Sequence, residues 1–275
     1  MTNLSFIPQT WQAPTRPIVD IFIGGVQKAG TTSFHGYLAG HQALLPPIRK
    51  EIHFFDNERI DWSRPDYSSF HASFPTYDGS RRPFDTTPIY IFWPKSLARV
   101  RAYNPGARLL FLFRDPIERA WSQWCMAYAR SMENFSFEIA IRHRRSRLRG
   151  INRLDPAWRV YSYVERGLYG TQVRELLRIF PREQILFLRS RDLQLDHRHV
   201  LDRVANFLGI EPFPNLPVRS DFTRRNMNYP FRPTQEDVAY LRALFRDDIM
   251  EFAALTGLLV EDWPTINSQL DPTFT

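Results

Sequence analysis

The chain has 275 residues, 43% of them hydrophobic and 15% aromatic, which excludes a disordered chain and suffices for one α/β domain with its own core. Its single cysteine, Cys125, excludes an internal disulfide, and no Cys/His group has zinc spacing, so no metal is expected. The formal charge of +7 favours an anionic ligand (a nucleotide, an acidic glycan or a membrane headgroup), and without a nucleic-acid module no nucleic-acid partner is expected.

Residues 1–17 are polar and proline-containing and read as an N-terminal arm; residues 18–275 read as one domain. The arm holds no apolar signal-peptide stretch, and nowhere do roughly 18 apolar residues run together, so a cytoplasmic protein with at most peripheral membrane contact is expected. Ile18 to Ile23 is a β-branched apolar run of the kind that forms a buried parallel strand. Thr31 to Ala39 predicts a helix, with Thr31 or Thr32 near its N-cap.

Between that strand and helix lies Gly24-Gly25-Val26-Gln27-Lys28-Ala29-Gly30-Thr31-Thr32-Ser33. A loop in this position aims successive backbone N–H groups at one point, and the helix N-terminus adds partial positive charge there. Lys28 adds a full charge, and Thr31 and Thr32 add hydroxyls. The usual ATP loop is G-x-x-x-x-G-K-[ST]. Here Gly25 and Gly30 have its spacing, but Thr31 stands at the lysine position and the lysine has moved into the loop. The pattern predicts a phosphate cradle ill-suited to ATP and Mg²⁺.

Next comes Lys50-Glu51-Ile52-His53-Phe54-Phe55-Asp56, in which a carboxylate, an imidazole and an ammonium sit beside two aromatics. A glutamate in a partly dry pocket is expected to have a raised pKa and to serve as a general base. Residues 56–83 read as an irregular excursion. Asp85-Thr86-Thr87-Pro88-Ile89-Tyr90 follows, then a helix over Lys95 to Tyr103 and a buried strand over Leu109 to Phe113. Arg114 ends that strand, and Pro116 opens a helix predicted to run to about Ser131 and to carry Arg119 and Ser122 on one face. Ligands of open parallel sheets sit at strand carboxyl ends, and a guanidinium fork suits a phosphate. Arg119 is expected to serve structure, through salt bridges.

Helices are predicted over 134–141, 156–180, Val200 to Leu208 and Gln235 to Leu255, with a strand at Ile185 to Leu188. Arg142, Arg144, Arg145, Arg147, Arg149 and Arg153 form a stretch without an acid, either a solvated helix end or a rim for an anionic acceptor. The alternation of strands and helices predicts a single P-loop-type α/β domain with a central parallel sheet flanked by helices.

Two elements together resemble the PAPS-dependent sulfotransferases, closest to the carbohydrate branch with the heparan sulfate N- and O-sulfotransferases. The loop over Gly25 to Thr32 resembles that family's 5′-phosphosulfate loop, and Arg114-Asp115-Pro116 with Ser122 resembles its 3′-phosphate element. The Lys50-Glu51-Ile52-His53-Phe54-Phe55 run resembles a family segment with proline at the Ile52 position. The resemblance implies that Gln27, Lys28, Ala29, Gly30, Thr31, Thr32, Ser33, Arg114 and Ser122 hold the co-substrate 3′-phosphoadenosine-5′-phosphosulfate (PAPS; product PAP). It implies Glu51 as general base and Lys28, Lys50 and His53 at the reacting centre, without a metal. Arg224 and Arg225 would belong to a loop over the nucleotide. Thr86 stands where several members carry a lysine. The implied acceptor is a hydroxyl or amino group of a glycan or glycolipid, and oligomeric state is not implied. A small-molecule P-loop kinase using ATP and Mg²⁺ is the alternative.

Overall fold

The computed structural model describes residues 19–76, 79–219, 229 and 232–272. The arm over 1–17 and the candidates Arg224 and Arg225 lie outside the described residues. The chain alternates β1 (Ile21–Gly25), α1 (Thr31–Ala39), β2 (Leu44–Leu45), α2 (Ser68–His71), β3 (Arg82–Thr86), α3 (Ser96–Tyr103), β4 (Arg108–Phe113), α4 (Pro116–Ala129) and α5 (Phe137–Ile141). It continues with α6 (Ala157–Val160), α7 (Tyr169–Ile179), β5 (Ile185–Arg189), α8 (Ser190–Leu195), α9 (His197–Leu208) and α10 (Gln235–Thr256).

All five strands pair in parallel, in the order β2-β3-β1-β4-β5. The chain leaves β1 towards β2 and β3 on one side and later returns to β4 and β5 on the other. The carboxyl end of β1 therefore lies at the topological switch point, where open α/β sheets bind ligands. The central strands are apolar throughout because helices cover both faces: every residue of β1 is buried, as are Leu109 to Phe113 of β4. One continuous core joins these strands to Phe34 and Leu38 of α1, Trp121 and Trp124 of α4, and Phe245, Ile249 and Phe252 of α10.

Several expectations are corrected. The excursion over 56–83 contains α2, and β3 begins at Arg82. The strand reads poorly as sequence because it holds Pro83 and Asp85, and only its neighbours make it viable. Pro83 faces the short edge strand β2, and buried Asp85 accepts hydrogen bonds from the hydroxyls of Thr87 (3.0 Å) and Tyr90 (2.8 Å). Burial pushes the Asp85 carboxyl up to about 6, against those bonds. The helix over 156–180 is broken into α6, a 3₁₀ turn over Glu165–Gly167, and α7. A Cβ on Gly167 would sit 2.6 Å from the Phe245 ring, so α10 packs directly onto the break. The helix over 134–141 begins only at Phe137, where the Ser136 hydroxyl caps Ile139 N.

The arginine stretch is largely engaged within the fold. Arg142 pairs with Asp237 (3.0 Å), Arg145 with Glu165 (2.9 Å) and Arg147 with Glu133 (2.7 Å), so the missing acids come from other segments. Arg144 stacks on Phe135, and Arg153 on Phe92 and Trp158. Arg142, Arg145 and Arg147 are thus tied into the fold, while Arg144, Arg149 and Arg153 remain exposed. No described helix is long and apolar enough to cross a membrane.

Candidate active site

The loop after β1 is built for close approach. Val26 N donates to the Leu112 carbonyl (2.9 Å), which ties the loop to β4, and Ala29 N donates back to Val26 O (3.2 Å). A Cβ on Gly25 would lie 2.7 Å from Ile91 Cγ2 and 3.0 Å from the Phe111 ring, so only glycine fits there. Gly30, not a threonine, is the N-cap of α1: its φ of 87° turns the chain into the helix, and no side chain caps it. Thr31 and Thr32 lie next to the cap as expected, as the first two helical residues, but neither caps the helix with its side chain. Thr31 is buried, while Gln27, Lys28, Thr32 and Ser33 are half-buried around the turn and Ala29 packs into the core.

Five non-glycine residues among those described have positive φ, and three of them are Lys28 (74°), Glu51 (61°) and His53 (56°). Such backbone costs about 1–3 kcal/mol per residue and persists only where the surroundings enforce it, typically where function uses it.

The Lys50–Asp56 segment lies against the carboxyl end of β3, with Glu51 N donating to the Thr86 carbonyl (3.1 Å). Because β3 neighbours β1, with Thr86 level with Ile23, this places Glu51 beside the loop. The side chains form one chain of charges. Lys50 Nζ donates to Glu51 Oε1 (2.6 Å), Glu51 Oε2 lies 3.5 Å from His53 Nε2, and His53 Nδ1 donates to Asp56 Oδ2 (2.9 Å). Asp56, fully buried, also accepts from Arg159 of α6, whose guanidinium stacks on Trp93.

The expected rise in the Glu51 pKa is not what this arrangement produces. Burial pushes the carboxyl up, but hydrogen bonds and charge from His53 and Lys50 outweigh it and hold Glu51 down at about 2. The bonds to Asp56 and Glu51 raise His53 to about 9 against burial, so at neutral pH it is an imidazolium with both nitrogens donating. Across the cleft, His35 of α1 meets Thr86 Oγ1 through Nδ1 (2.9 Å). Burial, then the charges of Lys50 and Arg219, hold His35 at about 4 and hence neutral. Since His35 and Glu51 both bond to Thr86, α1 and the Lys50 segment meet at the carboxyl end of β3. Arg219 itself donates its backbone N–H to Tyr37 Oη (2.7 Å) and lies over Gly36.

On the other side of β1, Arg114 leaves β4 with Nε donating to Glu118 Oε2 (2.8 Å), and Ser122 is buried two turns into α4. Asp115 is the N-cap of α4: Oδ1 accepts from Ile117 N and Glu118 N, and Oδ2 from Thr265 N and Oγ1. Arg119 is fully buried, but through neutral partners, donating to Gln123 Oε1 (2.7 Å) and the Tyr163 carbonyl. Among the described residues it makes no salt bridge, so that part of the expectation is corrected.

The fold thus gathers Gln27 to Ser33 at the centre, Lys50, Glu51 and His53 on the β3 side, and Arg114 with Ser122 on the β4 side. Sequence reasoning missed Asp56, Arg159, His35 and Arg166 as parts of this site. Asp56 carried a local signal, an acid three residues beyond a histidine; Arg159 meets it across 103 positions and carried none.

Comparison with known proteins agrees with the geometry. A family model described as a sulfotransferase domain matches residues 19–228. The chain is 32% identical over 196 residues to human (Homo sapiens) heparan sulfate glucosamine 3-O-sulfotransferase 6, covering 69% of this chain and 52% of that protein. It is 26% identical over 205 residues to human bifunctional heparan sulfate N-deacetylase/N-sulfotransferase 2, covering 70% of this chain and 22% of that one. The chain therefore spans about half the length, or less, of these curated relatives. The solved sulfotransferase from Alicyclobacillus acidocaldarius superposes with a TM-score of 0.73 at 25% identity, over 89% of this chain and 98% of that one. With the family model covering the loop, the Glu51 segment and the Arg114 element alike, this chain belongs to the sulfotransferase domain family.

Proposed function

We propose that this chain transfers a sulfuryl group from PAPS to a hydroxyl or amino group of a glycan acceptor, with Glu51 as general base. The observation that carries the reading is the arrangement around β1: an anion cradle at the switch point, a base with its charged partners on one side, and a guanidinium on the other. Gln27 to Ser33 receive the 5′-phosphosulfate, and Arg114 and Ser122 the 3′-phosphate. The acceptor oxygen or nitrogen attacks sulfur in line, its proton passes to the Glu51 carboxylate, and the bond from sulfur to the bridging phosphate oxygen breaks. PAP leaves with that electron pair, and Lys28 and the loop N–H groups meet the charge.

A carboxylate held near 2 is a weak base, and the geometry offers a remedy. Lys50 is bonded to Glu51, and a sulfuryl group entering the cleft competes for the same ammonium. As Lys50 turns to the sulfuryl oxygens, Glu51 loses a stabilising charge and becomes more basic as the proton must be taken. The His53 imidazolium keeps Glu51 oriented meanwhile. A glycan acceptor, including an anionic one, is favoured by the names of the curated relatives and by the +7 charge.

The kinase alternative finds no support here. The acid that follows β4, Asp115, spends both oxygens on the α4 N-terminus and Thr265 and is not available to a metal.

The test is thermal stabilisation by PAP compared with ADP and with ATP plus Mg²⁺. A rise with PAP that is lost in Arg114→Ala supports the reading, and PAPS transfer onto glycan acceptors follows. A rise with ATP-Mg²⁺ and none with PAP overturns it.

A further inference from the structure

Behind the loop, Arg166 lies in the 3₁₀ turn between α6 and α7, only 3% exposed. Its guanidinium donates to Ser162 Oγ (2.9 Å), to the carbonyls of Trp158 (3.3 Å) and Arg159 (2.9 Å), and to Gln27 Oε1 at 2.6 Å. Among the described residues it forms no ion pair, and neither does its buried neighbour Arg119. Both arginines line one small cavity together with Gln27 and Val26 of the loop. Burial, then the charges of Arg119, Arg159 and Arg153, push Arg166 down to about 9, with Asp56 opposing, so it stays a cation at neutral pH.

Two things follow. A buried cation without a carboxylate partner is costly, and it is tolerable where a ligand brings the negative charge. Independently, a glutamine side chain has one acceptor and one pair of donors. With Oε1 of Gln27 held towards Arg166, the carboxamide is oriented with its Nε2 donors on the opposite side, available to an anion.

We propose that Arg166 is a positioning residue for the donor substrate: it fixes the Gln27 carboxamide so that its N–H groups serve the anion in the loop, and places a positive charge behind it. The proposal rests on the reading of this loop as the cradle of the PAPS 5′-phosphosulfate. It assigns to a turn 139 positions away a part in donor binding that the loop sequence does not contain.

The experiment is a double-mutant cycle of Arg166→Met and Gln27→Met, reading PAPS affinity by calorimetry, single-turnover transfer and thermal stability. Each single variant is expected to weaken PAPS binding about 10-fold, the scale of one hydrogen bond to a charged group. The double variant should bind no more weakly than the worse single one, because Gln27 acts only when Arg166 orients it. Arg166→Lys, which keeps the charge and one donor, should recover part of the loss. If Arg166→Met does not fold, Gln27→Met on the half-buried loop and Arg166→Lys still decide. PAPS affinity unchanged in Gln27→Met, or losses that multiply in the double variant, overturns the proposal and leaves Arg166 a purely structural residue. Failure of the unaltered protein to bind PAPS overturns the reading of the loop itself.

Discussion

Replacing Asp56 by asparagine tests how the His53 charge is held. Asp56 is fully buried, with Oδ2 receiving both His53 Nδ1 and the Arg159 guanidinium. An asparagine there would keep the shape and lose the charge, its oxygen facing the two donors and its N–H₂ standing at the Oδ1 position, which has no hydrogen-bond partner in Asp56. Removing one partner of a buried ion pair costs about 3–5 kcal/mol. Arg159 is 32% exposed and stacked on Trp93, and His53 can release its proton, so about 2 kcal/mol is expected at neutral pH. The pH dependence is the sharper signature. His53 rises from 6.5 to about 9 on folding, and 9 − 6.5 is about 2.5 pH units, or about 3.4 kcal/mol at about 1.36 kcal/mol each. With the imidazole 45% exposed, solvent screening reduces this to roughly 1–2 kcal/mol. The folded state binds the extra proton, so this stability is complete below pH 6.5 and lost as pH rises towards 9. In Asp56→Asn most of that slope should vanish, leaving the smaller contribution of Glu51, and the cost of the substitution should be greater at pH 6 than at pH 9. Urea unfolding followed by tryptophan fluorescence at pH 6, 7.5 and 9 measures it. Parallel pH profiles for the two proteins would refute the account of His53.

Three further outcomes follow from the site. Glu51→Gln should retain PAP-induced thermal stabilisation while transfer falls about 10²–10⁴-fold; retained transfer would remove Glu51 as the base. Lys28→Ala should lower single-turnover transfer about 10²–10³-fold and PAPS affinity far less, since its charge is needed most as the leaving group forms; equal losses in both would place Lys28 in ground-state binding alone. Gly25→Ala should destabilise the protein by about 1–3 kcal/mol, because the new Cβ must displace Ile91 or the Phe111 ring, with donor binding weakened as the loop shifts; an unchanged melting temperature would show that the core yields more easily than its packing implies.

Local signals carried much of the fold. β1, β4 and β5 are apolar runs followed by helices, and α1 and the start of α4 lie where glycine, proline and periodicity put them. The strand–loop–helix turn that offers a candidate anion site was legible because every part of it, the glycines, Lys28 and the helix N-terminus, lies within ten consecutive residues. Glu51 and Arg114 stood out as candidates for the same reason, each lying in a short segment of distinctive chemistry. What stayed hidden depends on partners distant in sequence. β3 looks like a loop until β1, β2, Thr87 and Tyr90 surround its proline and aspartate. The acid-free arginine stretch gives no sign that three of its arginines, Arg142, Arg145 and Arg147, are paired with Asp237, Glu165 and Glu133 from elsewhere. The Glu51 pKa moves opposite to the expectation because desolvation, visible as neighbouring aromatics, is outweighed by charges whose distances only the folded chain sets. By itself the sequence determined the strand–loop–helix cradle and the residue types offered to an anion, since backbone geometry and glycine placement are local. Only the tertiary structure decided which charges are paired, which are buried without a counter-ion, and which side chains stand behind the cradle, because electrostatic energy depends on distances between segments that chain order does not specify.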